Sequence, residues 1–200
     1  ENKYKFDVDS QMCWMNYFLG YPDSATCDLT LQSKTAHISL RNKSADASFG
    51  ISISPPLERL DWKMLAGKSF CITPTKDDSF FFSYDNCGEW DDLNELTINF
   101  GNTNNTEIEI SAKGIGKVDA FSDIFPLQNV DFQIQTLVTF RGISVYVPEE
   151  GHKDPISYAK TQVLKMIPSY SFLDPHIRRT SVDNRTNHIF EVWLPPNPKD

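Results

Sequence analysis

The residues with the greatest potential for chemistry lie in the segment DNCGEWDD, at positions 85–92. Cys87 precedes a glycine, and Trp90 is flanked by four acids: Asp85, Glu89, Asp91 and Asp92. A nucleophilic cysteine works as a thiolate, and neighbouring acids disfavour a thiolate because they repel its negative charge. The acids also lack the spacing of an EF-hand calcium loop. We therefore predict that this segment is a polar connector with no catalytic residue and no metal ligand.

Other local motifs for catalysis or cofactor binding are missing from the sequence. The four histidines (His37, His152, His176 and His188) lack the short spacing of paired metal ligands. No G-x-S-x-G, G-x-x-x-x-G-K-[ST] or G-x-G-x-x-G motif occurs. We predict no cofactor and no metal. A site assembled from distant residues, such as His152 with Glu149 and Glu150, remains an alternative that sequence spacing does not test.

The four cysteines fall into two local pairs, Cys13 with Cys27 and Cys71 with Cys87. Each pair would close a loop of about 15 residues, for which the chain-entropy model gives about 3 kcal/mol. We predict these two disulfides, and with them an extracytoplasmic location, periplasmic or secreted. The alternative is four ordinary thiols, because Cys13 and Cys71 lie in apolar runs where free cysteine is common.

Charge and hydropathy restrict the class of partner. The 200 residues carry a net charge of −8, and their basic residues are scattered. Nucleic-acid binding requires a concentrated basic surface, so we expect no nucleic-acid partner. No apolar run approaches the roughly 20 residues that span a bilayer, so we expect no membrane span. A protein partner, with a basic surface to complement the acidic charge, fits these properties. The oligomeric state is not predicted.

Alternation of apolar and polar residues dominates the chain and indicates strands. In the longest run, Val130, Phe132, Ile134, Val138 and Phe140 share one face, and Gly142 then shifts the phase of the alternation. Two helices are predicted, at 57–65 and at 154–168. In the second, Asp154 is the cap, Lys160 and Lys165 are expected to be exposed, and the buried stripe is Ile156, Ala159, Val163, Met166 and Ile167. A capping box at Asp92–Glu95 predicts one further helical turn.

The fold class is therefore α+β and β-dominated, with roughly ten mostly antiparallel strands and two helices packed on the sheet. A weak repeat aligns FGISISPP with RGISVYVP and suggests two tandem β-rich units, 1–95 with the short helix and 96–200 with the longer one. One compact domain is an equal alternative.

We expect a non-enzymatic, acidic, extracytoplasmic domain that binds another protein, such as an inhibitor or immunity-type protein that neutralises a partner toxin or enzyme. The predicted contact is Trp90 with Asp85, Glu89, Asp91 and Asp92, because exposed aromatic residues supply binding energy and surrounding charges steer association. One alternative is a glycan-binding or adhesion module that uses exposed aromatic rings. Another is a hydrolase whose site is assembled from distant residues.

Overall fold

A computed structural model describes residues 5–20, 25–40, 43–55, 62–75, 78–84, 87–104, 106–118, 128–148, 151, 153–182 and 188–198. Within several strands, including residues 87–91, only the backbone is described. All structural statements below concern these parts of the chain.

The described residues form eleven strands and one α-helix. The strands are β1 (Trp14–Leu19), β2 (Ala25–Gln32), β3 (Ala36–Leu40), β4 (Lys43–Ile53), β5 (Ser69–Ile72), β6 (Ser79–Tyr84), β7 (Cys87–Asn104), β8 (Glu107–Val118), β9 (Gln128–Val147), β10 (His176–Val182) and β11 (His188–Leu194). The helix is α1 (Pro155–Met166). The prediction of a β-dominated fold with a largely antiparallel sheet is confirmed.

The strands belong to one sheet that closes on itself. Hydrogen bonds connect β1, β2, β4, β6, β7, β8 and β9 in that order, and β9 then pairs with β1 in parallel to complete the circuit. The other described strand pairs are antiparallel. Strands β10 and β11 extend the sheet beyond β9, while β3 and β5 pair with β4 and β7. Apolar side chains from alternate positions fill the interior, with Tyr17, Phe80 and Phe140 among the largest fully buried ones.

The predicted change of phase at Gly142 is confirmed. Ile134, Val138 and Phe140 are buried before this glycine, and Ile143, Val145 and Val147 are buried after it. Gly142 has a φ of 136°, and the register between β1 and β9 shifts at this point. An extra residue in one strand is a β-bulge, which moves the following residues to the other parity. The bulge allows the long strand β9 to keep apolar residues on the core side along both halves.

Helix α1 begins where the sequence predicts and ends at Met166, two residues before the predicted end. The Asp154 side chain accepts a hydrogen bond from the backbone N–H of Ser157 at 3.0 Å, and Pro155 occupies the first turn. Ala159, Val163 and Ile167 are buried, as expected. Ile156 is only half-buried, and Lys165 is exposed, as expected. Two further details of the prediction are wrong. Met166 is 52% exposed, whereas Lys160 is half-buried because its ammonium group lies over the Phe172 ring, 5.2 Å from the ring centroid.

Three other expectations are corrected or not confirmed. The first predicted helix is not found in the described residues: positions 57–61 lie outside them, and Trp62–Leu65 form only one 3-10 turn. The capping box at 92–95 is wrong, because these residues continue β7 and pair with neighbouring strands. Tandem units are not confirmed. The predicted boundary at Glu95 falls inside β7, in a sheet shared by both halves, and the division at 95/96 stays a prediction.

Candidate binding face on the outer side of β1, β9 and β11

The predicted acidic contact lies in a strand and not in a loop. Asp85 is outside the described residues, but the backbone from Cys87 to Asp92 belongs to β7 and pairs with β6. Glu89 stands opposite Phe82, and Trp90 stands opposite Phe81. Successive strand positions alternate between the two faces of a sheet. Glu89 and Asp91 therefore occupy one set of positions, and Trp90 and Asp92 the other. Asp92 is exposed, and its carboxylate lies 3.9 Å from Lys117 Nζ.

The register of the sheet separates both predicted disulfide pairs. Cys27 pairs with Tyr17, and Cys13 lies four residues before Tyr17, a distance of about 13 Å along the strands. Cys71 pairs with Thr97, ten residues from Cys87, or about 33 Å along β7. A disulfide requires Cα atoms within about 7 Å. Cys13, Cys27 and Cys71 are free thiols in the structure, so the predicted pairing is not confirmed.

Two of the free thiols are part of the core. Cys13 and Cys27 are buried, and burial raises the pKa of both thiols. The backbone N–H of Gln32 donates to Cys13 Sγ at 3.4 Å. A buried thiol with a raised pKa is a poor nucleophile, so these two cysteines pack as small apolar residues. Cys71 is exposed on β5.

A face that the sequence did not indicate lies on the outer side of β1, β9 and β11. In β1, Met15 and Tyr17 point into the core, whereas Trp14 and Phe18 are half-buried on the opposite side. Register places Phe18 beside Ser144 of β9, and Ser144 beside Trp193 of β11. Directly paired residues share one side of a sheet. The three strands therefore present one continuous outer surface.

Two arginine side chains are stacked on tryptophan rings of this surface. The guanidinium of Arg141 lies 5.0 Å from the ring centroid of Trp14, and that of Arg178 lies 5.1 Å from the ring centroid of Trp193. Arg141 also donates from Nη2 to the carbonyl oxygen of Gln11 at 2.8 Å. We call Trp14, Arg141, Arg178 and Trp193 the Arg–Trp face. Each stacking contact stabilises by about 0.5–1 kcal/mol at an exposed position.

The two halves of the Arg–Trp face meet at the bulge. Trp193 packs directly on Gly142, where an added Cβ would lie 3.1 Å from Cζ2 of the indole. Arg141 is the residue before this glycine. Partial desolvation lowers the pKa of the Arg141 guanidinium, and the positive charge of Arg178 lowers it further. Through the contact of Trp193 with Gly142, Arg178 and Arg141 lie on the same part of the outer surface.

No carboxylate of the described residues forms an ion pair with either arginine. The ion pairs in the described part of the chain join His37 to Asp46 and Lys117 to Asp92, and neither involves an arginine. Both Arg141 and Arg178 are exposed. The face thus presents two guanidiniums that have no ion-pair partner among the described residues, although the chain as a whole is strongly acidic.

Polar side chains are buried within the same surface. Ser144 Oγ donates to Glu191 Oε1 at 2.8 Å, and both residues are almost completely buried. Asn16 is also buried, and its Oδ1 has no hydrogen-bond partner among the described residues. In the neighbouring strand, burial raises the pKa of Asp28, an effect that a hydrogen bond from Ser54 partly offsets. The outer side of this sheet is therefore much more polar than the core side.

The side chains of His37 and His176 each make a separate local contact. His37 is exposed and contacts Asp46 Oδ1 at 3.1 Å, and the ring of His176 contacts its neighbouring backbone at the carbonyl of Asp174. Within the parts of the chain that the structure describes, no group of three His, Cys, Asp or Glu side chains could hold a metal ion. The alternative site built from His152, Glu149 and Glu150 lies outside these parts.

Comparisons with protein-family models, with curated proteins and with solved structures found no match for this chain. In the described residues, no helix has the length and apolar character needed to cross a membrane. The proposals that follow therefore depend on the chain's own residues.

Sequence reasoning missed the Arg–Trp face because its members are far apart in the chain. Trp14 and Arg141 are separated by more than a hundred residues and meet only through the parallel pairing of β1 with β9. One local signal was present: Arg141 precedes Gly142, at which the alternation changes phase. A bulge often changes the direction of a neighbouring side chain next to a functional site.

Proposed function

We propose that this chain is a non-enzymatic binding domain that recognises another protein through the Arg–Trp face. The observation that carries the proposal is the pair of exposed guanidiniums, stacked on Trp14 and Trp193, with no carboxylate partner among the described residues. Tryptophan and arginine are the residue types most enriched among those that dominate protein interfaces. Stacking also reduces the conformational entropy that each long arginine side chain would lose on binding.

The packing of the rings favours a protein over a sugar as the ligand. A sugar that stacks on a tryptophan needs one open face of the indole. Trp193 packs against Gly142, and Arg178 lies over its ring. Arg141 lies over Trp14 in the same way. The rings therefore support the guanidiniums, and the guanidiniums are the groups presented to a ligand.

The charges predict two different contacts on the partner. The Arg–Trp face suits an acidic patch, whereas the net charge of −8 and the acids around Trp90 suit a basic region. The expected role as an inhibitor or immunity-type protein, capping a toxin or enzyme, remains part of the proposal, as does a location outside the cytoplasm. Cell fractionation tests this location directly.

The test is affinity purification with four forms of the full chain. Wild type, Arg178→Ala, Trp90→Ala and the control Lys113→Ala are used as bait in extracts of the source cells, after circular dichroism has shown that all are folded. Lys113 is an exposed cation on β8, outside the face. We expect one protein to be retained by wild type and Lys113→Ala, and to be lost with Arg178→Ala.

The purified partner then gives the energetic test. Arg178→Ala should weaken binding by about 2 kcal/mol or more if the residue dominates the interface. Equal affinity for wild type and Arg178→Ala contradicts the proposed face. Loss of binding with Trp90→Ala alone assigns the contact to the acidic strand. Retention of glycans and of no protein supports the adhesion alternative instead.

A further inference from the structure

We infer that Arg141 and Arg178 together form one binding site for a single oxyanion, which in the complex is a carboxylate of the partner protein. This inference rests on the proposed function, since it names the chemical group that the Arg–Trp face recognises. The shared chemistry of the possible ligands is a small group with two or more anionic oxygens. A free inorganic anion such as sulfate has the same chemistry and is distinguished by the experiment below.

Both guanidiniums are held in place before any ligand binds. Arg141 is fixed by the Trp14 ring and by its hydrogen bond to the Gln11 carbonyl oxygen. Arg178 is fixed by the Trp193 ring, which itself packs on Gly142. The backbone around Gly142 is fixed in turn, because β9 pairs there with both β1 and β11. The two cations are therefore positioned by the sheet and not by flexible loops.

Holding two like charges together costs free energy unless an anion lies between or beside them. Arg141 precedes Gly142, and the Trp193 ring beneath Arg178 packs on this glycine, so both guanidiniums belong to one part of the surface. In agreement with this placement, the charge of Arg178 lowers the pKa of Arg141. In the described residues no carboxylate is within ion-pair distance of either group. Of the two guanidiniums, only that of Arg141 makes a hydrogen bond to a described residue, and it does so through Nη2 alone. Each guanidinium therefore has N–H donors that no described acceptor uses. A shared oxyanion would use these donors and remove the repulsion.

The guanidinium group matches a carboxylate in geometry. Its planar array of N–H donors forms two parallel hydrogen bonds to the two oxygens of one carboxylate, and such charge-assisted pairs are stronger than neutral hydrogen bonds. A lysine ammonium keeps the charge but loses this array. Substitution of arginine by lysine therefore separates recognition of shape from simple attraction of charge.

The experiment measures binding of defined probes to the full chain, with no partner needed. The probes are an acetylated, amidated tetraglutamate peptide, the matched tetraglutamine peptide and sodium sulfate, at constant ionic strength. Tryptophan fluorescence reports binding, because Trp14 and Trp193 lie directly under the guanidiniums. The variants are Arg141→Gln, Arg178→Gln, the double variant and Arg178→Lys, with Lys113→Gln as the control for loss of one positive charge.

We expect saturable binding of tetraglutamate, no binding of tetraglutamine, and at least a tenfold loss of affinity in each single glutamine variant. Arg178→Lys should lose affinity as well, and Lys113→Gln should retain it. If one oxyanion contacts both arginines, the losses are not additive in the double variant, since either single change already breaks the shared site. Additive losses would indicate two independent contacts and would overturn the inference.

Two further results would also overturn it. Tetraglutamate binding that is equal in wild type and in both single glutamine variants excludes the site. Saturation by sulfate but not by tetraglutamate excludes a carboxylate as the ligand. Failure here is distinguishable from failure of the proposed function. If no probe binds but the partner protein is lost with Arg178→Ala, the anion site is rejected and the protein-binding proposal stands. Conversely, if tetraglutamate binds but Arg178→Ala still retains the partner protein, the proposed function is rejected and the anion site stands.

Discussion

Replacement of Gly142 by alanine tests whether the bulge in β9 holds the fold and the Arg–Trp face together. Its backbone has a φ of 136°, which residues with a Cβ rarely adopt. An added Cβ would also lie 2.5 Å from the carbonyl oxygen of Leu194 and 3.0 Å from the Cα of Pro195. Both are backbone atoms of a paired strand or its continuation, so they cannot move aside as a flexible side chain would.

The size of the effect follows from these two contributions. Strain at an unfavourable backbone conformation costs about 1–3 kcal/mol, and forcing an extra methyl group into a packed region costs about 1–3 kcal/mol. The smaller entropy of the unfolded alanine chain returns about 0.4–1 kcal/mol. The free energy of unfolding should therefore fall by about 1–6 kcal/mol, a large share of the roughly 5–15 kcal/mol of a typical domain.

Gly67 provides a matched control for the steric contribution. It also has a positive φ, 73°, but nothing lies within 4 Å of the position of an added Cβ. Alanine in this left-handed conformation costs about 1–2 kcal/mol. The smaller entropy of the unfolded alanine chain returns about 0.4–1 kcal/mol of this cost. We expect Gly67→Ala to lower stability by about 0–1.5 kcal/mol.

Urea denaturation of wild type, Gly142→Ala and Gly67→Ala measures the difference, and equal slopes against urea confirm that only stability has changed. At about 2–4 °C per kcal/mol for a chain of this size, Gly142→Ala should lower the melting temperature by about 2–24 °C. If Gly142→Ala is no less stable than Gly67→Ala, the close packing of Gly142 against β11 is wrong. The fixed position of Trp193 would then lose its basis as well.

Three other predictions concern the helix, the thiols and the alkaline stability. Ile167→Ala should lower the free energy of unfolding by about 2–5 kcal/mol because Ile167 is buried, while exposed Met166→Ala should change it by at most about 0.5 kcal/mol in urea denaturation. In the folded protein a thiol reagent should modify Cys71, which is exposed, and spare Cys27, which is buried; peptide mapping that finds Cys27 in a disulfide would contradict the observed register. Burial raises the pKa of the Tyr170 hydroxyl well above its ordinary range. At alkaline pH the folded state therefore keeps the hydroxyl proton, whereas the unfolded chain loses it. Stability should be intact below about pH 10 and fall above it by up to about 1.4 kcal/mol per pH unit, and Tyr170→Phe should flatten this fall in denaturation curves; an unchanged slope refutes the assignment to Tyr170.

Features that depend on neighbouring residues could be predicted from the sequence. Alternation of apolar and polar residues identified the inward side of β9, and the glycine at 142 identified the residue at which that side changes. The cap at Asp154, the proline that follows it and the apolar stripe identified α1. These features are local because side-chain direction in a strand or helix is set by positions a few residues apart.

Features that depend on register were decided only by the tertiary structure. Cysteines 13 and 27 are close in sequence, yet the pairing of β1 with β2 holds them four positions apart. The segment around Trp90 has the composition of a loop but pairs with β6 as a strand, since tertiary context outweighs local propensity. Trp14, Arg141 and Trp193 converge because β9 pairs with β1 on one edge and with β11 on the other. The physical reason is that register couples residues far apart in the chain, and a shift of one residue would move every side chain of a strand to the opposite face.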